Sequence, residues 1–203
     1  MALTKAVAVL DGWTAVAANT VIEGATVDCA AKYQSVLTVV VALASATAQA
    51  NGMDIRVQIS AATSGDEDWV DFVNFVGPIG TANTEAITNN PLAAGSTTIT
   101  CASTTGYTLP TGTDNGLRYI KDGTIGNSEI FLQTALTTNT NITALDGTTH
   151  EHIQNVAMWN IVGVYVCQVP DSTNRARVVY NNTKDAAGSA CDVMSRISSI
   201  TAI

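Results

Sequence analysis

Three short constellations in this 203-residue chain carry residue types that could do chemistry. His150-Glu151-His152 is the densest group of classical metal ligands. On a strand, alternate residues share a face, so both imidazoles would project to one side and could chelate a metal. The spacing is not the HExxH of metalloproteases, no third ligand lies nearby, and the tripeptide follows an Asp146-Gly147 turn. It is read as a solvated loop or a pH-sensitive contact. Asp66, Glu67 and Asp68 gather three carboxylates just before Trp69. Calcium favours such oxygen donors, but the glycine and distal glutamate of an EF-hand loop are missing, and an acidic turn tip is the expectation. Asp122 and Glu129 are acids that could serve a hydrolase, although the pairing which glycoside hydrolysis needs is spatial and does not show in spacing.

Other catalytic signatures are missing from the sequence. There is no GxSxG, no phosphate loop and no dinucleotide fingerprint, and both histidines lie in one tripeptide, which leaves a Ser-His-Asp triad unsupported. No enzyme is expected, and no cofactor or metal. Trp13, Trp69, Trp159 and the tyrosines could form a sugar-stacking platform, with Trp13 or Tyr107 exposed on it. Each Trp also lies in or beside an apolar run, which suits core packing. Cys29, Cys101, Cys167 and Cys191 are far apart and form no CxxC pair; most sit in strand-like runs, where a buried free thiol is the expected state.

The elements that must position these residues are strands. Val36 to Ala48 and Met53 to Ala61 are strand-like runs separated by Asn51-Gly52, a dipeptide suited to a tight hairpin. Trp69 to Val76 is rich in aromatic and β-branched residues, which favours a strand over a helix. Asn89-Asn90-Pro91 and Ala93-Ala94-Gly95 mark turns or a linker. Short strands are then expected near Ser96 to Cys101, Leu117 to Lys121, Glu129 to Ala135 and Ile142 to Leu145. Longer apolar strands return at Val156 to Val169, Arg175 to Tyr180 and Asp192 to Ile203. No sustained helical stripe with caps occurs. The chain reads as all-β: a β-sandwich of jelly-roll-like type formed by residues 1–94 and 153–203, with a small β-barrel, residues 95–152, inserted in a loop.

Composition narrows the partners. Only 13% of residues are charged while 46% are hydrophobic, the deficit being filled by Thr, Ala, Asn, Ser and Gly. Disordered chains lack the apolar content, and coiled coils would be rich in Glu, Lys, Arg and Leu. Nine basic against seventeen acidic residues give a net charge of -8. That field repels phosphate backbones and anionic lipid, so neither nucleic acid nor a membrane is an expected partner. The start of the chain lacks signal-peptide order, and a soluble protein outside the general secretory route is expected.

The middle block carries a resemblance. Ser96-Thr-Thr-Ile-Thr100, Thr105-Gly-Tyr-Thr-Leu109, Tyr119-Ile-Lys-Asp-Gly123, Asn127-Ser-Glu-Ile-Phe131 and Asn141-Ile-Thr-Ala-Leu145 before His150 together resemble a small β-barrel module of tailed-bacteriophage virion proteins. Trp69 after an acidic turn and Arg175-Ala-Arg-Val-Val-Tyr-Asn-Asn182 look like outer strands of capsid decoration proteins. The Thr111 to Gly116 loop departs from the module in being longer. The resemblance implies a capsid decoration, or cement, protein that binds the outer shell, with the major capsid protein and copies of itself as partners and a homotrimer as its state. The implied location is the virion, assembled in the bacterial host cytoplasm, where free thiols persist. Within that reading Trp13, Tyr107, Asp66, Glu67 and Asp68 are the candidate interaction residues. A phage tail or surface protein that binds a receptor or carbohydrate is the alternative.

Overall fold

The computed structural model describes residues 3–65, 68–110, 114–137, 140–184 and 190–202. Its strands are β1 (Leu3–Val16), β2 (Val21–Glu23), β3 (Val27–Asp28), β4 (Gln34–Leu43), β5 (Asp54–Ser60), β6 (Val70–Val76), β7 (Thr84–Ala86), β8 (Thr98–Thr100), β9 (Leu117–Lys121), β10 (Glu129–Thr137), β11 (Asn141–Ala144), β12 (Ala157–Trp159), β13 (Val162–Val169), β14 (Arg175–Asn181) and β15 (Cys191–Ala202). A single 3-10 turn at Ile125–Asn127 is the one helical element among the described residues. The chain divides into two compact units, one of residues 1–41, 49–79 and 163–203, the other of residues 42–48 and 80–162. The second unit therefore contains the whole 95–152 block together with 42–48, 80–94 and 153–162.

The first unit is a sandwich. One sheet has the order β1-β15-β4-β13 and the other β2-β14-β5-β6, with β3 also pairing β14. Setting the two-residue β3 aside, the eight strands of this unit counted along the chain fall in the orders 1-8-3-6 and 2-7-4-5. That is the double Greek-key connectivity of a jelly roll. Alternation explains its core. In β4, Leu37, Val39 and Val41 are buried, and in β5 so are Ile55 and Val57. The antiparallel register sets Ile55 opposite Tyr180 and Val57 opposite Val178, so buried side chains meet buried ones.

A polar clasp joins the ends of this unit. The ladder between β1 and β15 shifts register on both sides of Asp11. The Asp11 carboxylate accepts from Ser195 Oγ at 2.6 Å, from the Tyr180 hydroxyl at 3.0 Å and from the Ala25 backbone at 2.7 Å. A bulge re-aims a side chain in this way, and here it turns a carboxylate onto donors from β14, β15 and the loop after β2.

The second unit is a small barrel. Its sheet runs β7-β12-β9-β10-β11-β8, and a bridge between Ile87 and Cys101, just past β7 and β8, joins its two end strands. Closure leaves Ile87, Leu92, Ile99, Ile120, Phe131, Ile142 and Met158 packed together as one core. All four cysteines of the chain are buried free thiols.

Two local expectations are corrected, and one element is new. Asn51-Gly52 closes no hairpin, because β4 and β5 belong to different sheets. Gly52 still has the left-handed φ of 72° that made the dipeptide a turn signal, but it serves the passage between sheets. The run Val156 to Val169 breaks at Asn160 and Ile161 into β12 of the barrel sheet and β13 of the sandwich sheet. The opening residues, noted only for lacking a leader's order, form a 14-residue strand.

Candidate functional site

The barrel brings together three residues that the sequence presents apart. Asp122 follows β9 in a turn that its own side chain shapes, its Oδ1 accepting the Thr124 backbone N–H at 2.8 Å while its N–H donates to Ser128 Oγ at 3.0 Å. Glu129 opens β10, directly opposite Ile120. His152 arrives from the far end of the 146–152 segment, fixed by reciprocal backbone bonds to Leu92 at 2.9 Å each. Its Nδ1 lies 2.9 Å from Asp122 Oδ2 and its Nε2 lies 2.6 Å from Glu129 Oε1. His152 is fully buried.

With a carboxylate at each ring nitrogen, the imidazole is held as a cation that donates both N–H groups. Burial by itself would lower its pKa. The hydrogen bonds from Glu129 and Asp122, with their charges, outweigh burial and hold it above the ordinary histidine value. Burial likewise pushes both acids upward, but the bonds to His152 and to backbone N–H groups win, and both carboxyls sit below their usual range. Glu129 also accepts from the backbone of Thr149 at 2.6 Å and of His150 at 3.4 Å. The cluster is a saturated lock on the 146–152 segment: neither ring nitrogen is left to take a substrate proton, and neither is left to bind a metal.

This corrects the solvated-loop reading at His152, which is buried with both ring nitrogens engaged; as a contact between a histidine and two acids it is of the pH-sensitive kind. Among the described residues no group of three or more His, Cys, Asp or Glu side chains is arranged to hold a metal ion. A cleft of about 320 Å³ beside Glu129 is lined by Leu117, Ile130, Phe131, Leu132, Asp146 and Thr149. It is at the small end for a ligand site, and the Glu129 carboxylate in its wall is already committed to His152 and Thr149.

Sequence reasoning missed a second cluster. Arg118, the second residue of β9, is fully buried. Its guanidinium makes a bidentate pair with Asp114 at 3.0 Å on both arms, donates through Nε to Gln133 Oε1 at 2.6 Å and reaches the Thr108 carbonyl at 2.8 Å. It also lies 5.4 Å from the Tyr107 ring centroid. These bonds fasten Thr108 and Asp114 to the barrel wall. A lone Arg in a short strand gives no hint of this, since Asp114, Thr108 and Gln133 lie 4, 10 and 15 residues away.

Tyr107 and Trp13, expected as exposed stacking rings, are buried at 3% and 8% exposure. The Tyr107 hydroxyl donates to the Met158 carbonyl at 2.6 Å, which makes it part of the barrel core. Asp68 is exposed, whereas Asp66 and Glu67 lie outside the described residues. Trp69 is half-buried between two guanidiniums, 4.8 Å from Arg175 and 4.4 Å from Arg177. Both arginines are committed elsewhere too, Arg175 to the Ala62 carbonyl at 2.8 Å and Arg177 to Glu23 at 2.8 Å.

The end strands of the sandwich expose apolar side chains, as Leu145 and Ile153 do in the barrel unit. β1 is the end strand of its sheet, and every residue from Thr4 to Val9 is exposed, Val7 at 62%. The opposite end strand, β13, exposes Val164 and Val166, and β6, an end strand of the other sheet, exposes Val70, Phe72 and Val76. The Phe75 and Tyr165 rings, 5.3 Å apart, place β6 and β13 along the same side of the sandwich.

No protein-family model matches the chain, and no curated protein matches it. Among solved structures, VP17, a capsid protein of bacteriophage P23-77, is similar at 8% identity and a TM-score of 0.22, over 100% of both chains. The complex of VP16 and VP17, the two major capsid proteins of that phage, is similar at 8% identity and a TM-score of 0.22, over 97% of this chain and 99% of that one. Likenesses of this size carry no weight for function.

Proposed function

We propose that this chain is a structural protein of a tailed-phage particle, a decoration or cement protein that binds the outer capsid shell and stabilises it. The observation that carries the reading is the apolar surface left open on the sandwich's outer strands, at Val7 and Val9, at Val164 and Val166, and at Val70, Phe72 and Val76. Exposed strand ends with apolar side chains are a liability in a free protein and an asset in an assembly, where partners cover them. Low charge supports this, since few ions must be desolvated on docking. Jelly rolls serve capsids and lectins alike, so the fold by itself leaves the choice to the surface. The two saturated clusters hold loops in place, which suits a rigid building block.

The partners in this reading are the major capsid protein and further copies of the chain, three in the state the resemblance implies, with assembly in the host cytoplasm. The test is a reconstruction of the parent particle, with mass spectrometry of purified virions. Density for this chain at symmetric positions on the outer shell supports the reading. Its absence from purified virions ends it.

A further inference from the structure

Where β14 begins, between β3 and β5, the sandwich carries a polar cleft of about 260 Å³ lined by Thr26, Asp28, Ala30, Thr63, Asn174 and Arg175. The Asn174 backbone ties both walls together: its carbonyl accepts from the Cys29 N–H at 2.7 Å, and its own N–H donates to the Ser60 carbonyl at 3.0 Å. Asp28 and Arg175 are direct cross-strand partners, so their side chains rise from the same face. They nevertheless form no ion pair with each other, and each is fastened elsewhere. Asp28 Oδ1 accepts the Ala30 N–H at 2.8 Å. Arg175 donates through Nε to the Ala62 carbonyl at 2.8 Å and through Nη2 to Ser60 Oγ and the Ser64 carbonyl at 3.3 Å each, with the Trp69 ring 4.8 Å from its guanidinium carbon. Asn174 Nδ2 donates to the Ala61 carbonyl. These bonds use one side of each group. Asp28 Oδ2, Asn174 Oδ1, Arg175 Nη1 and the Thr26 and Thr63 hydroxyls keep no partner among the described residues.

From this we infer that the cleft is a carbohydrate site, which takes one ring of a neutral glycan. A sugar hydroxyl both donates and accepts, so neighbouring ring hydroxyls can donate to Asp28 and Asn174 while accepting from Arg175 and exchanging bonds with the two threonines. Other ligand classes fit less well. One carboxylate and one guanidinium are the ionisable groups of the lining, so a simple anion meets Asp28 and a simple cation meets Arg175 as like charges in the same small space. An apolar ligand would take these polar groups out of water without giving them partners. The donor is already in place, because three hydrogen bonds and the Trp69 ring hold the guanidinium, and it loses little freedom on binding. The cleft is smaller than the one in the barrel, so it admits a single ring, and the rest of a glycan lies outside along exposed Thr26 and Thr63. Sugar stacking on Trp13 or Tyr107 fails because both are core; this site works through hydrogen bonds instead, and its Trp69 acts on Arg175. None of its residues belongs to the exposed apolar strands, so the inference goes beyond the virion role and does not rest on it.

A glycan array of common hexoses, N-acetylhexosamines and deoxyhexoses, probed with the labelled full chain, tests the site. Saturation-transfer difference NMR then uses the free monosaccharide of each retained spot, with glycine as a zwitterionic competitor. The expected result is retention of a subset of neutral glycans and transfer to the ring protons of the terminal sugar. Asp28→Asn keeps an oxygen for the Ala30 N–H but exchanges a charged acceptor for an amide, and should weaken binding on the order of tenfold. Thr63→Val, at an exposed position, should weaken it about threefold. Lys5→Ala on β1 is the control and should bind as the unmodified chain does. Circular dichroism melting checks that each variant is folded, and Thr63→Val carries the test if Asp28→Asn is not. An array without a neutral-glycan spot overturns the inference, as does binding that the folded cleft variants retain in full. Glycine binding more tightly than every sugar, by bridging Asp28 and Arg175, would overturn it as well.

Discussion

The barrel and the sandwich solve opposite problems with the same strand chemistry. The barrel closes its sheet, buries a full histidine and a full arginine, and satisfies each with carboxylates and carbonyls. The sandwich gathers neutral donors on Asp11, buries the uncharged pairs Gln49–Asn182 and Ser35–Ser199, and leaves apolar side chains in the open on its end strands. A closed sheet has no edge to protect, so its specificity comes from inward polar networks. An open sandwich keeps edges, and those edges are where a partner can be read.

The largest expected effect falls on the barrel. Arg118→Ala takes the cation away from Asp114, which keeps only the Thr108 hydroxyl and the Gly116 N–H, leaves Gln133 Oε1 without its donor, and should cost about 3 kcal/mol in urea unfolding. A loss under about 1 kcal/mol would mean that the barrel does not depend on its buried charge, and the contrast between the units would fall.

His152→Gln comes next, at about 2–3 kcal/mol, with a signature in pH. The two acids have folded pKa values below their ordinary 3.8 and 4.5, so their contribution is present above those values and fades as pH falls through the folded ones. His152 has a folded pKa above 6.5, so its contribution is full below 6.5 and fades as pH rises through the raised value. Thermal melts should therefore show the largest gap between wild type and variant from about pH 4.5 to 6.5, narrowing on both sides. A gap that does not change with pH would show that the ring acts through packing alone.

Trp69→Ala removes the plate between Arg175 and Arg177 and should cost about 1 kcal/mol, measured by the same unfolding. Smallest of all, Val7→Thr on the exposed β1 should change the stability of the isolated chain by less than about 0.5 kcal/mol. A large loss there would show that β1 is packed and not waiting for a partner.

Much of the fold is legible in the residues. Leu117 to Lys121 is read to the residue as β9, because its apolar pair is bounded by glycine turns on both sides. β14 follows from its alternation and β6 from its aromatic and β-branched content. The corner at Asn51-Gly52 was not legible, since the same backbone conformation serves a hairpin and a passage between sheets. β1 escaped because most of its exposed half carries small or aliphatic residues on both faces, giving no alternation to read. At the site, Asp122, Glu129 and His152 each drew notice as isolated residues, yet nothing in a spacing of 7 and 23 residues says that they meet. Arg118 drew none.

The sequence by itself determined an all-β chain, short strands in the middle and long ones at the ends, and a surface poor in charge, because strand propensity, turn residues and composition are local properties. Tertiary structure alone decided which strands pair, that His152 is a buried cation and not a ligand, and that Trp13 and Tyr107 are core. Those outcomes depend on which distant groups arrive at hydrogen-bond distance in a dry interior, where an ion is tolerated only beside its opposite.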